Sequence, residues 1–343
     1  MSLPTFTSHT TAEFAAESLS GIIKSKNILI TGTTVGGIGL EAARTIAKAG
    51  AGLVIITGYN TERLRAAEET IKAEAPTATI RALILDLSSL DSVREAAATI
   101  NSYSEPLHVL IHNAAMTGRS SDAATATGLD LQFAIGHIGP FLLTKLLLPK
   151  LLASQATSSD FTPRVVVVSS RIHSMIPPSE NAGELHPLGD FSKIAFRVDT
   201  DEKLEPRAIH ARYAQGKSAN ILFAKELAKR IGKRLNVYCL HPGLVYTSAI
   251  SHPITTTAMK ATGALNTEGK PNEDYSVKWK TVGEGAATIV VAAFDPRLDD
   301  KSGTYLVDCV PADEVVSPHC LHQGNAAILW TRTEEIIGEK FEL

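Results

Sequence analysis

Short apolar, β-branched runs recur along the chain with little polar alternation: Asn27–Thr31, Leu53–Thr57, Arg81–Asp86, Leu107–His112, Arg164–Ser169, Leu235–His241 and Gly303–Val307. A strand with one wet face alternates apolar and polar positions. A run without alternation predicts a strand buried on both faces, as in a parallel sheet covered by helices. Between these runs, Gly39–Ala49, Thr61–Ala75 and Leu90–Asn101 carry Ala, Leu, Glu, Arg and Lys at helical spacing. The most apolar segment, Phe141–Leu152, is interrupted by Lys145, Pro149 and Lys150; it predicts a buried amphipathic helix, too short and too charged to span a membrane. Strand and helix alternate without a composition break, which predicts one domain: an α/β, doubly wound (Rossmann) fold with a parallel seven-stranded sheet and helices on both faces.

Three segments lie outside the alternation. Residues 1–26 are polar and read as an N-terminal arm on a Rossmann core of residues 27–245. Residues 174–208, with Pro177, Pro178, Gly183, Pro187, Gly189 and Pro206, read as an irregular insertion. Residues 246–280 read as a substrate-loop region ahead of a last helix, strand and tail over 281–343. Long irregular segments in compact domains tend to be binding loops. Both carry apolar residues (Met175, Ile176, Pro177; Ile250, Ile254, Met259), which predicts a partly apolar small-molecule substrate held between them.

The net charge of −3 gives no electrostatic reason for a nucleic-acid partner. Cys239, Cys309 and Cys320 are odd in number and widely spaced, and no apolar leader appears in residues 1–30. A reducing compartment is expected, and with it a cytoplasmic location. His319, Cys320 and His322 lack a second pair at ligand spacing, so no metal is expected.

The first strand runs directly into Thr31-Gly32-Thr33-Thr34-Val35-Gly36-Gly37-Ile38-Gly39, and a helix follows from Leu40. Glycines allow positive φ and let backbone approach a pyrophosphate, while the helix N-terminus offers N–H groups to the phosphates. The second strand ends Thr57-Gly58-Tyr59-Asn60, without the carboxylate that reads a ribose 2′-hydroxyl, and Arg63 follows on the next turn. This favours NADP(H) over NAD(H), with Arg63 at the 2′-phosphate and Tyr59 and Thr34 as hydroxyl contacts. Tyr213 and Lys217 are four apart and share a helix face. An ammonium near a phenol favours the phenolate and so serves acid/base work. Ser169 and Ser170 end the fifth strand, at the sheet edge where ligands sit, and a hydroxyl there can bond a substrate carbonyl.

These motifs together resemble the short-chain dehydrogenase/reductase superfamily, most closely its retinol-dehydrogenase-like branch in fungi. The resemblance covers about residues 25–310. Asp86-Leu87-Ser88-Ser89-Leu90 stands where the family contacts adenine, and Asn113-Ala114-Ala115 where it has Asn-Asn-Ala-Gly. Ser170, Tyr213 and Lys217 match the family's catalytic serine and Tyr-x-x-x-Lys. His241-Pro242-Gly243-Leu244-Val245-Tyr246-Thr247 resembles the loop that clamps the nicotinamide carboxamide. The resemblance implies cofactor contacts from Gly32, Thr34, Gly37, Ile38, Gly39, Arg63, Asp86, Leu87, Asn113, Ala114, Tyr213, Lys217, Pro242, Gly243, Val245 and Thr247. Tyr213 would exchange the proton, Lys217 would hold the ribose and lower the tyrosine pKa, and Ser170 would polarise the carbonyl of a ketone, aldehyde or secondary alcohol. A role in secondary metabolism, and a homodimer or homotetramer paired through the helices beginning near Phe133 and Ala208, are implied in the same way.

Two departures stand out. The glycine loop is one residue longer than the family's. Gly136 replaces an asparagine that helps hold a water between the catalytic lysine and solvent, with Pro140 following in the same helix. Gly136 raises the alternative of a non-redox isomerase or cyclase, or a dinucleotide-sensing protein.

Overall fold

The computed structural model describes residues 3–116, 124–156, 160–177, 185–194, 196 and 206–343, apart from the side chains of residues 206–210, 251 and 254. Pro178 and Gly183 of the insertion, and the Ile254 side chain, lie outside these residues.

The segment before the first strand folds into α1 (Ala12–Ser18) and α2 (Ser20–Ile23). Thr11 caps α1 by accepting from the Phe14 N–H at 3.2 Å. A stripe of small residues, Ala12, Ala15 and Ala16, is buried together with Phe6, Leu19 and Ile23, so this stretch joins the main core despite its polar composition.

The alternating elements then follow: β1 (Asn27–Thr31), α3 (Ile38–Lys48), β2 (Leu53–Gly58), α4 (Thr61–Glu74), β3 (Ile80–Ile84), α5 (Leu90–Asn101) and β4 (Val109–His112). Next come α6 (Leu131–Phe133), a π-helical turn over Ala134–Ile138, α7 (Gly139–Ala153), β5 (Arg164–Val168), α8 (Pro206–Ile231), β6 (Asn236–His241) and β7 (Leu244–Val245). The chain ends with α9 (Pro253–Ala261), β8 (Trp279–Lys280), α10 (Val282–Phe294), β9 (Tyr305–Val307), β10 (Val310–Pro311), α11 (Pro318–Leu321) and α12 (Gln323–Ile337).

The main sheet runs β10-β9-β6-β5-β4-β1-β2-β3, and every pairing is parallel except β9 with β10. Its topology reverses between β1 and β4, which opens the ligand crevice of a doubly wound sheet. Alternate strand residues feed two cores. Ile28, Ile30, Val166, Val168 and Leu240 face α3 and α10, while Leu29, Val165, Val167 and Cys239 face α5, α7 and α8.

The sheet has eight strands where seven were expected. The added β10 is two residues long and follows a hairpin turn in which Asp308 and Cys309 both have positive φ, +52° and +71°. Pro311 is tolerated there because the strand lies at the sheet edge. At the other edge β3 is partly exposed, with Ala82 and Ile84 facing solvent.

The apolar run predicted over 141–152 belongs to a longer helical stretch, Leu131–Ala156, joined through the π turn. By length and composition it could cross a membrane, but 67% of its most apolar window is buried inside the fold. Buried Phe141, Leu142, Leu147 and Leu151 make it a core helix. The described part of the insertion packs inward: Phe191, Ile194 and Phe196 join Phe133, Leu222 and Leu329 in a third apolar cluster.

Candidate active site

The dinucleotide cradle forms where β1, β4 and α3 meet. Gly32 has φ +74°, and a Cβ there would lie 2.6 Å from the Ala114 Cα, so the loop after β4 approaches as only glycine permits. At Gly39 a Cβ would collide with the Asn113 amide, itself spent on the loop: its Nδ2 donates to the carbonyls of Thr31 at 3.0 Å and Gly32 at 2.9 Å. Asn113 therefore shapes the cradle from behind. The Thr31 hydroxyl accepts from the Asn113 and Ala114 N–H groups, both at 3.1 Å. Gly37 caps α3 without a side-chain hydrogen bond, so no side chain of its own competes for the first N–H groups of Ile38 and Gly39. A dinucleotide fits this arrangement: backbone donors at a helix start, with glycine where a side chain would obstruct.

At the end of β2, Tyr59 is 60% exposed. The Asn60 side chain caps α4, accepting from the Arg63 N–H at 2.9 Å. Arg63 is exposed and has no ion pair among the described residues. After β3, Asp86 Oδ1 accepts from the Ser88 N–H at 2.9 Å and the Ser88 hydroxyl at 2.6 Å, which fixes the turn into α5. Leu87 is buried and turns its side chain into the core, so its side chain is not offered to a cofactor. Thr34 is exposed; Pro242, Gly243 and Thr247 are half-buried, and Val245 is buried.

The catalytic candidates converge at the carboxyl end of β5. The Lys217 Nζ donates to the Val168 carbonyl at 2.8 Å and lies 5.6 Å from the centre of the Tyr213 ring. Lys217 is only 4% exposed, whereas Tyr213 and Ser170 are half-buried and reach the surface. The Ser169 hydroxyl donates to the Lys217 carbonyl at 2.7 Å, and Asn220 Nδ2 to the Val168 carbonyl at 3.2 Å. Sequence reasoning passed over Ser169 and Asn220 as anchors. The signal was present, since Tyr213, Lys217 and Asn220 stand at i, i+4 and i+7 on one helix face.

Burial dominates the electrostatics. It pushes the Tyr213 phenol up to about 12 and the Lys217 ammonium down to about 8. The expectation that Lys217 lowers the phenol is therefore not met in the protein alone: Nζ faces the ring and the Val168 carbonyl, and desolvation governs both groups.

Gly136 lies within the π turn, half-buried, with nothing within 4 Å of a Cβ placed on it. Pro140, four residues on, has no N–H for the Gly136 carbonyl, which loses its α-helical partner as the helix widens. His137 is buried, with Nε2 bonded to the Thr333 hydroxyl at 2.8 Å. His319 bonds the Ser218 hydroxyl at 2.9 Å, and His322 caps α12. Among the described residues no group of three His, Cys, Asp or Glu could hold a metal.

The 246–280 region is organised rather than loose. Its ends are joined by parallel pairing of β7 with β8, and the Tyr246 hydroxyl donates to the Gly269 carbonyl at 3.1 Å. The Trp279 indole donates to the Ala264 carbonyl at 3.2 Å.

The short chain dehydrogenase family model matches residues 26–181. The chain is 33% identical over 300 residues to the short-chain dehydrogenase TIC 32 A, chloroplastic, of Brassica napus, covering 86% of this chain and 84% of the relative. It is 33% identical to the short-chain dehydrogenase/reductase prx1 of Penicillium rubens (90% and 84% covered) and 31% identical to human retinol dehydrogenase 12 (93% and 89%). Among solved structures, a short chain dehydrogenase from Escherichia coli CFT073 complexed with NADPH superposes with TM-score 0.59 at 23% identity, covering 84% of this chain and 98% of that one. The L-sorbose reductase of Gluconobacter frateurii, complexed with NADPH and L-sorbose, gives TM-score 0.57 at 17% identity, with 82% and 94% covered.

Proposed function

The chain belongs to the short-chain dehydrogenase/reductase family, whose members are nicotinamide-dependent oxidoreductases acting on CH–OH and C=O groups, and from that premise we propose that it is an NADP(H)-dependent carbonyl reductase with Tyr213 as the proton donor. The observation that carries this reading is the buried Lys217, held on the Val168 carbonyl beside a Tyr213 ring whose phenol stays protonated. A protonated phenol at a crevice is a ready acid for a carbonyl oxygen that gains negative charge.

Bound NADPH supplies the hydride to the carbonyl carbon. The protein does the rest. The Tyr213 O–H gives its proton to the oxygen, so a C–H and an O–H bond form as the C=O π bond breaks. Ser170 donates to the same oxygen and polarises it. Lys217 holds the cofactor ribose and keeps positive charge beside Tyr213. The glycine loop and the start of α3 hold the pyrophosphate.

NADPH is preferred over NADH on two observations: no carboxylate ends β2, and Arg63 stands exposed without an ion pair among the described residues. The NADPH bound by structural neighbours agrees with this. Exposed Met175 and Tyr246 flank the Ser170 turn and the loop after β6, which supports a partly apolar ketone or aldehyde as substrate. A non-redox or sensing role finds less support, because Lys217 is held on the Val168 carbonyl beside Tyr213 although Gly136 has no side chain.

Calorimetry with NADPH and NADH, followed by NADPH consumption against a panel of ketones and aldehydes, tests the proposal. Tight NADPH binding, consumption with at least one carbonyl, and a loss of about 10²–10⁴-fold in Tyr213→Phe are expected. Equal turnover by wild type and Tyr213→Phe overturns it.

A further inference from the structure

The turn that presents Ser170 is a single 3-10 turn, Arg171–Met175, and the backbone bonds at its two ends are long: His173 N–H to the Ser170 carbonyl and Ile176 N–H to the His173 carbonyl, both at 3.4 Å. Two imidazoles add side-chain bonds at its start. His173, fully buried against the Tyr305 ring, places Nδ1 2.7 Å from the Ser170 carbonyl. His241, the last residue of β6, accepts the Arg171 N–H on its Nδ1 at 3.3 Å.

The second contact continues a ladder. The β5–β6 pairing ends where the Ser169 N–H donates to the Leu240 carbonyl at 2.7 Å. Beyond that point the backbones part, and the His241 side chain provides the next acceptor. Ser170 is thus bonded at its carbonyl by His173, and the peptide after it by His241. Its hydroxyl accepts from the Ile172 N–H at 3.2 Å. With a lone pair so engaged, the hydroxyl proton is free to point at a substrate oxygen.

We infer that His173 and His241 are positioning residues that together fix the direction of the Ser170 hydroxyl and tie the serine turn to the nicotinamide-side loop. His173 carries its proton on Nδ1, and His241 leaves Nδ1 bare. The His241 bond needs a neutral ring, whereas the His173 bond needs only its Nδ1 proton; burial lowers the pKa of both, that of His241 to about 3. The role of Ser170 in this inference rests on the proposed reductase; the clamp itself does not.

The test uses paired substitutions. His173→Leu and His241→Leu remove the bonds. His173→Asn can still donate to the Ser170 carbonyl, and His241→Asn can still accept from the Arg171 N–H. The leucine variants are expected to lower kcat about 10-fold or more with NADPH Kd within about twofold, the asparagine variants to recover most of the loss, and the leucine change to cost less than about twofold on a Ser170→Ala background. Leucine and asparagine variants equally impaired, or a leucine penalty undiminished in Ser170→Ala, overturn the inference. Amide hydrogen exchange reads the clamp without activity: the Arg171 amide is protected in wild type and exchanges about 10-fold faster in His241→Leu at unchanged global stability. An unprotected Arg171 amide in wild type also overturns it. If no carbonyl is reduced by wild type while this protection pattern holds, the reductase reading fails and the clamp stands.

Discussion

Burial acts on Tyr213 and Lys217 in opposite senses, holding the phenol protonated up to about 12 and pulling the ammonium down to about 8. Reduction needs the protonated phenol and the charged lysine. Its kcat/KM is therefore expected to be flat below about pH 8 and to fall above it as Lys217 loses its proton, while oxidation, which needs the phenolate beside the charged lysine, rises with pH to about 8 and levels off above it. A reduction rate that climbs above pH 8 contradicts this assignment. The same shift has a cost in stability. Between about 8 and the ordinary 10.5 the unfolded chain binds more protons at Lys217 than the folded one, so this residue's contribution to stability rises with pH through that window. Lys217→Met is expected to be inactive yet more stable at pH 7 by an order of 1–3 kcal/mol, a gain that shrinks at pH 10 in thermal melts. Tyr213 and Lys217 were visible in the sequence through their spacing on one helix face, the serines that end the fifth strand and the match to the family's Tyr-x-x-x-Lys. The balance between desolvation and their mutual charge was not, because it depends on how deeply α8 lies against β5.

Elements carry the site through their ends. Gly32 closes β1 with φ +74° and no room for a Cβ beside Ala114, so Gly32→Ala is expected to lose NADPH binding and to destabilise by about 2 kcal/mol or more, measured by calorimetry and denaturant unfolding. Gly136 differs: its side-chain position is open and its φ is helical, so Gly136→Ala is expected to be tolerated, with stability raised by about 0.5–1 kcal/mol. A collapse of stability in Gly136→Ala contradicts the placement of that residue. Apolar runs such as Leu53–Thr57 and Leu235–His241 were legible because strands buried on both faces need them. The π turn was not, since it arises where Pro140 denies a donor to the turn before it. The hairpin turn at Asp308-Cys309 lacks the usual Asn-Gly, which hid the short β10.

At the scale of the molecule, the C-terminal segment decides what the outer helices present. Trp330 and Phe341 pack on Phe141 of α7, and Trp330 also on Phe223 of α8; all four are buried. Glu339 pairs with Arg94 and Lys145 and pins the tail down. Pairing of two copies through these helices, expected by resemblance, would require α12 to leave. We therefore expect a monomer in sedimentation, and expect removal of residues 318–343 to expose this apolar face and drive association. A stable wild-type dimer whose interface maps to α7 and α8 contradicts this. The sequence showed the tail only as a polar segment with histidines, because its apolar anchors are few and find partners far away in the chain.

The most direct measurement follows the hydride itself. NADPH deuterated at nicotinamide C4, on either face, is incubated with the enzyme and a carbonyl compound that it reduces, and the alcohol is analysed by mass spectrometry. Deuterium on the carbinol carbon from one face only, with transfer in Tyr213→Phe lowered by about 10²–10⁴-fold, is the predicted result. Deuterium appearing equally with Tyr213→Phe, or in no product while NADPH binds tightly, would contradict it.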